Sequence, residues 1–166
     1  MKAAGVEKKI WHTQFGFRSD HSTQDEIFCA RRMIEQCFNK QDHFIIMLAL
    51  DWAKAFDSIS PDSLIHALKR FGMPHKITQV ISAIYHDRQF FVIDAGNNSK
   101  IHNQPFGISQ GCPLSPFLFV ILMTVLIHDA KSHIQSQQHE SLSDQLACQE
   151  LLYADDTLLI ERNIMK

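Results

Sequence analysis

Two apolar runs that end in carboxylates constrain this chain more than any other feature. "HFIIMLALD", His43 to Asp51, is uninterrupted apolar sequence closed by an acid, and "LLYADDTLLIERN", Leu151 to Asn163, sets Asp155 and Asp156 between two apolar stretches. The first has the composition of a strand buried on both faces that surfaces at its carboxyl end, so Asp51 is expected at a strand tip. The second reads as strand, turn and strand, with both acids in the turn. Aspartate also suits a plain reversal, because its side chain bonds its own backbone there. The rest of the chain decides between reversal and site.

Helical segments surround these runs. Ser22 with Asp25, or Thr23 with Glu26, fits a capping box ahead of Ile27, Ala30, Ile34, Cys37 and Phe38 at helical spacing. Ser60 and Pro61 supply an N-cap and first-turn proline for a helix bearing Leu64, Leu68 and Phe71, stopped by Gly72. Another helix is expected from Pro74, with Ile77, Val80, Ile81 and Ile84 as its stripe. "RQFFVIDAGNNSKIHN" reads as a hairpin around Gly96, Asn97 and Asn98. The loop from Pro105 to Pro116 then delivers the chain into an apolar helix reaching about Lys131. Its apolar run, Phe117 to Ile127, is shorter than the roughly 20 residues that cross a bilayer, so a buried core helix and no membrane partner are expected. Ser132 to Gln149 is polar and reads as a solvated connector, and Met1 to Trp11 as a loose lead-in with no targeting signal. This order of elements predicts an α+β fold, helices packed on one face of a mainly antiparallel sheet.

Composition excludes some classes. A chain of 166 residues with 45% hydrophobic content can bury a core and is not disordered. A net charge of -2 offers no bulk attraction for nucleic acid. Cys29, Cys37, Cys112 and Cys148 form no CxxC pair, and free thiols in a reducing compartment are expected. The ten histidines show no HExxH spacing.

If the two acid-bearing runs share a sheet, Asp51, Asp155 and Asp156 converge. Three close carboxylates repel one another and take up protons unless cations neutralise them. Oxygen donors with no nearby His or Cys favour Mg²⁺ or Mn²⁺ over zinc. Two such ions about 4 Å apart suit in-line attack at phosphorus.

"LALDWAKAFDSI" (Leu48 to Ile59), "GISQGCPLSPFLF" (Gly107 to Phe119) and "LLYADDTLLI" (Leu151 to Ile160), in that order, resemble the palm motifs of reverse transcriptases. "QFGFRSDHSTQDEI", Gln14 to Ile27, is similar to a segment of the non-LTR retrotransposon and group II intron members. The resemblance implies a polymerase palm with part of the fingers: a lead-in over 1–13, fingers over 14–43, and a palm over 44–166 that stops after the YADD hairpin. Earlier finger motifs and the thumb are not matched. It implies that Asp51, Asp155 and Asp156 bind two Mg²⁺ ions, or Mn²⁺, with the Trp52 carbonyl as a further metal ligand. The backbone amides of Lys54 and Ala55 would meet the incoming triphosphate. Phe56 would be the steric gate against a ribose 2′-hydroxyl. Gln110 and Gly111 would touch nucleotide and template, and Arg18 would contact template or serve as a structural donor.

The implied partners are an RNA template, a DNA primer and dNTPs, and the implied location is intracellular, nuclear or cytoplasmic. "FRSDHST" carries Ser19, Asp20 and His21 where the family commonly has Pro, Gly and Arg. Two functions of different class follow: RNA-directed DNA polymerisation, or a catalytically inactive retroelement relic. Truncation after the third motif would leave the last strand, Thr157 to Glu161, as an exposed edge.

Overall fold

In chain order the elements are a 3-10 turn at Val6–Lys9, α1 (Thr23–Phe38), β1 (His43–Leu50), α2 (Pro61–Phe71), α3 (His75–Tyr85), β2 (Gln89–Phe90), β3 (Ile93–Asp94), β4 (Asn97–Asn98), β5 (His102–Asn103), α4 (Ser115–Gln137), β6 (Gln149–Tyr153) and β7 (Asp156–Ile164). The structure is a computed structural model that describes residues 5–39, 43–137 and 149–164. It divides into two compact units, one of Met1–Trp52 with Met123–Lys166 and one of Ala53–Leu122.

The first unit is built on a sheet of order β1-β7-β6, antiparallel throughout. The strand expected as a bare edge is therefore the central one: β7 pairs with β1 from His43↔Ile164 to Leu50↔Thr157, and with β6 from Gln149↔Ile160 to Tyr153↔Asp156. The outer side of β6 is covered by the chain near Thr13–Phe15. There the Phe15 N–H donates to the Leu152 carbonyl at 2.7 Å and the Leu152 N–H donates to the Thr13 carbonyl at 2.9 Å. β1 is the edge.

Burial on both faces of β1 is likewise corrected. Phe44, Ile46, Met47 and Leu48 are exposed. An apolar run records affinity for a pleated apolar surface, not whether a layer lies on each side. In this unit α1 lies against β1 and β6 and leaves much of β1 uncovered.

α1 begins with the expected box, the Ser22 side chain accepting from the Asp25 N–H and the Asp25 carboxylate accepting from the Ser22 N–H. Its stripe is only partly covered, for Ile27 and Phe38 are exposed, Ala30 and Ile34 are half-buried and only Cys37 is buried. The expected loose lead-in is partly built in. Ile10 is buried, the Trp11 N–H donates to Thr124 Oγ1 at 3.2 Å, and the Trp11 indole donates to Glu150 Oε1 at 2.6 Å. Lys131 Nζ, 2.6 Å from the other oxygen of Glu150, completes the partners that let this carboxylate sit almost wholly buried.

The second unit holds α2 and α3. Ser60 caps α2 and Gly72, at φ 88°, ends it in the left-handed conformation that glycine adopts freely. In α3 the buried residues are Thr78, Ile81 and Tyr85, while Ile77, Val80 and Ile84 face solvent. The expected hairpin pairs β3 with β4 and β2 with β5, but its turn centres on Ala95 and Gly96, at φ 47° and 84°. Positive φ at both positions matches the right-handed twist of the flanking strands.

α4 starts in this unit and runs on into the first. By length and composition its Ser115–His133 stretch could cross a membrane. Leu118, Phe119, Val120, Ile121 and Met123 are buried within the protein, as a core helix requires. The expected connector lies largely outside the described residues. Among those residues Cys29, Cys37 and Cys112 are free thiols.

Candidate functional site

The register of the three-stranded sheet gathers acids at one end. Leu50 pairs with Thr157, so Asp51 and Asp156 stand one residue beyond that pair on neighbouring strands. Tyr153 pairs with Asp156 and encloses a two-residue turn of Ala154 and Asp155. Asp156 is thus the first residue of β7 rather than part of the turn. The Trp52 indole donates to Thr157 Oγ1 at 3.1 Å, tying the tip of β1 to β7 where the acids emerge. Asp51 and Asp156 are exposed and Asp155 is half-buried.

A fourth carboxylate lies near. Glu26 of α1 is pushed above its ordinary value, first by partial burial and then by the negative charge of Asp156. The side chains are not closed around a common point: among the described residues no three His, Cys, Asp or Glu are gathered tightly enough to hold a metal ion. The donor set itself, all carboxylate and with a neighbour that senses its charge, is the chemistry of a hard-cation site.

The turn before Asp155 has a partner that sequence reasoning missed. Ala154 adopts φ 57°, which a residue with a Cβ seldom does. The buried amide of Gln14 grips it on both sides, Oε1 accepting from the Ala154 N–H at 2.9 Å and Nε2 donating to the Ala154 carbonyl at 3.1 Å. The visible signal was a glutamine two residues before a glycine.

In the second unit, Lys54 is left-handed at φ 53° and its carbonyl accepts from the N–H groups of Asp57 and Ser58, both at 2.9 Å. This tight turn presents Lys54 to solvent and leaves Ala55 half-buried. Phe56 is also half-buried, stacked on Phe119 with centroids 4.5 Å apart. The glycine-rich loop packs beside it. The Ile108 N–H donates to the Phe56 carbonyl and the Gly107 N–H to the Ile59 carbonyl, and a Cβ on Gly107 would stand 3.0 Å from the Asp57 Cα.

Gln110 Nε2 donates to Asp57 Oδ1 at 3.0 Å on the surface. Gly111 has φ 83° with open space around its missing Cβ, so it is the backbone angle that calls for glycine. Arg88, also unflagged by the sequence, stacks its guanidinium 4.5 Å from the Tyr85 centroid and donates to Ser109 Oγ at 2.7 Å and to the Gly107 carbonyl. These bonds tie the loop to the end of α3.

The whole chain, residues 1–166, matches the family described as reverse transcriptase (RNA-dependent DNA polymerase). The chain belongs to this family. Among curated proteins it is 28% identical over 159 residues to the RNA-directed DNA polymerase from mobile element jockey of Drosophila melanogaster, covering 95% of this chain and 16% of that protein. It is 32% identical over 120 residues to the Pol polyprotein of a type-1 R2 retrotransposable element of Popillia japonica, covering 70% and 16%. The chain therefore spans about a sixth of the length of these curated relatives. Its fold is also that of part of a telomerase from Candida tropicalis, solved with a TWJ fragment of telomeric RNA, with a TM-score of 0.62 at 14% identity over 90% of this chain and 25% of that one. The α+β, palm-like architecture expected from the sequence is the one present.

Within this chain Arg18 is committed to the protein. Its Nε donates to Glu7 at 2.8 Å and its Nη1 to the Gln14 carbonyl at 2.9 Å, with the side chain 10% exposed. These are the bonds a structural donor makes.

Proposed function

We propose that this chain supplies the carboxylate centre and the nucleotide-facing loops of an RNA-directed DNA polymerase that joins dNTPs to a primer 3′-hydroxyl on an RNA template. The observation that carries the proposal is the β1–β7–β6 register, which sets Asp51 and Asp156 on adjacent strands and Asp155 in the adjoining turn.

Asp51, Asp155 and Asp156, with the Trp52 carbonyl, would hold two Mg²⁺ ions, or Mn²⁺. When bound, these supply the charge that activates the attacking hydroxyl and steadies the departing oxygens. The protein's part is to bring oxygen donors together at the ends of paired strands. Lys54 and Ala55 offer backbone amides to the triphosphate from the turn that Lys54 closes. Phe56, braced by Phe119, is the wall against a 2′-hydroxyl. Gln110 and Gly111 face nucleotide and template from the adjoining loop. The division into a fingers segment at 14–43 and a palm from 44, and action in the nucleus or cytoplasm, belong to the same proposal.

The test is Mg²⁺-dependent extension of a DNA primer on an RNA template by the purified chain, beside Asp155→Asn with Asp156→Asn. Extension that falls to background in the double variant is expected. In addition, Phe56→Val should raise ribonucleotide over deoxyribonucleotide use by roughly 10- to 100-fold, the range a shape-based pocket commands against one hydroxyl. A folded chain that extends nothing would leave the non-catalytic reading in its place.

A further inference from the structure

We propose that Gln14 is a positioning residue for Asp155, acting through the backbone of Ala154. The inference rests on the metal-site reading above. Ala154 is the residue immediately before Asp155, and any change in its backbone angles swings the following carboxylate. It is held at φ 57°, in the left-handed region that residues other than Gly, Asn and Asp rarely occupy. A two-residue turn with alanine there needs outside support.

Gln14 provides it in a form few side chains could. A carboxamide carries an acceptor and donors on one rigid plane. Its oxygen takes the Ala154 N–H at 2.9 Å while its nitrogen reaches the Ala154 carbonyl at 3.1 Å. The same oxygen accepts from the Gly16 N–H at 2.8 Å, and two N–H donors facing one atom fix which way round the amide lies. Gln14 is 1% exposed, so these bonds meet no competition from bulk water.

Gly16 makes the approach possible. A Cβ at this position would stand 2.2 Å from the Ala154 nitrogen. The flanking backbone bonds between Thr13, Phe15 and Leu152 hold the segment in register with β6. Gln14, Phe15 and Gly16 thus form a cradle shaped to one turn. Groups beyond a metal's direct ligands commonly govern affinity by fixing those ligands' orientation.

The experiment compares the unsubstituted chain with Gln14→Met, Ala154→Gly and the double variant. Methionine keeps the volume and removes the amide. Glycine takes positive φ without help. Mn²⁺ affinity is read by electron paramagnetic resonance, exchange of the Ala154 amide by NMR, and thermal midpoint by circular dichroism. Gln14→Met is expected to speed Ala154 exchange and weaken Mn²⁺ binding by about 10-fold or more. Ala154→Gly in that background should restore at least about a third of the original affinity, since the turn then needs no clamp. The thermal midpoint should stay low in both, which separates positioning from general stability.

Mn²⁺ binding by Gln14→Met within twofold of the unsubstituted chain would overturn the proposal, and so would a loss that glycine does not relieve. If the unsubstituted chain itself shows no Mn²⁺ site sensitive to Asp155→Asn with Asp156→Asn, the metal reading fails, and this inference fails with it.

Discussion

Glu26 and Asp156 come from elements far apart in sequence, and Asp156 makes the charge on Glu26 harder to hold. Glu26 is raised by burial and by Asp156, so the folded chain binds its proton more readily than the unfolded chain does. A carboxyl raised in this way favours the fold below its unfolded pKa, and that contribution is lost as pH rises through the folded value. At pH 7 and without divalent cations, ionised Glu26 therefore counts against stability. Glu26→Gln should raise the thermal midpoint at pH 7 by about 1–3 °C, and by less near pH 4, where the native carboxyl is already largely protonated. Equal gains at both values would show that the charge is not the cause.

Gln14 and Arg88 mark what residue-level reading cannot reach. Both act on backbone groups distant in sequence, Gln14 on Ala154 and Arg88 on the loop at Gly107, and neither has a local pattern that records its target.

Among the elements, β1 is the most exposed to trouble. Phe44, Ile46 and Leu48 alternate onto one face, and Ile46 and Leu48 are 56% and 52% exposed. The outer edge of β1 has no partner strand among the described residues. Apolar surface beside an open edge invites pairing with another chain. Ile46→Lys with Leu48→Lys should shift concentrated samples toward monomer by light scattering. The cost to stability should stay within about 0.5 kcal/mol per site, as for other solvated positions. Association that persists unchanged would place the sticky surface elsewhere.

Helix ends were legible because caps are local. The Ser22 and Asp25 box, the Ser60 cap and the Gly72 stop stand where the sequence puts them. The stripe of α3 was not, because Ile77 and Val80 satisfy the same period as Ile81 and Tyr85. Period identifies a helix, and only its neighbours decide which side is buried.

At the scale of the whole molecule, cation binding should act as a stability term. A ligand that binds only the native state stabilises it by mass action, about 2.7 kcal/mol at a hundredfold excess over Kd. Adding Mg²⁺ should raise the thermal midpoint of the chain, and the rise should vanish when Asp51→Asn is combined with Asp155→Asn. A rise of the same size in that variant would mean that the cations bind elsewhere.

The sequence alone determined the family and the α+β class and nominated the acids, since ordered motifs, apolar runs and caps are each written over a few adjacent residues. The tertiary structure decided the rest. It placed β7 at the centre of the sheet and left β1 at the edge, because strand order follows from pairing energies summed across segments more than a hundred residues apart. It also set Gln14 against Ala154, a contact 140 residues long in sequence, where one buried amide meets a backbone that a local pattern could not have located.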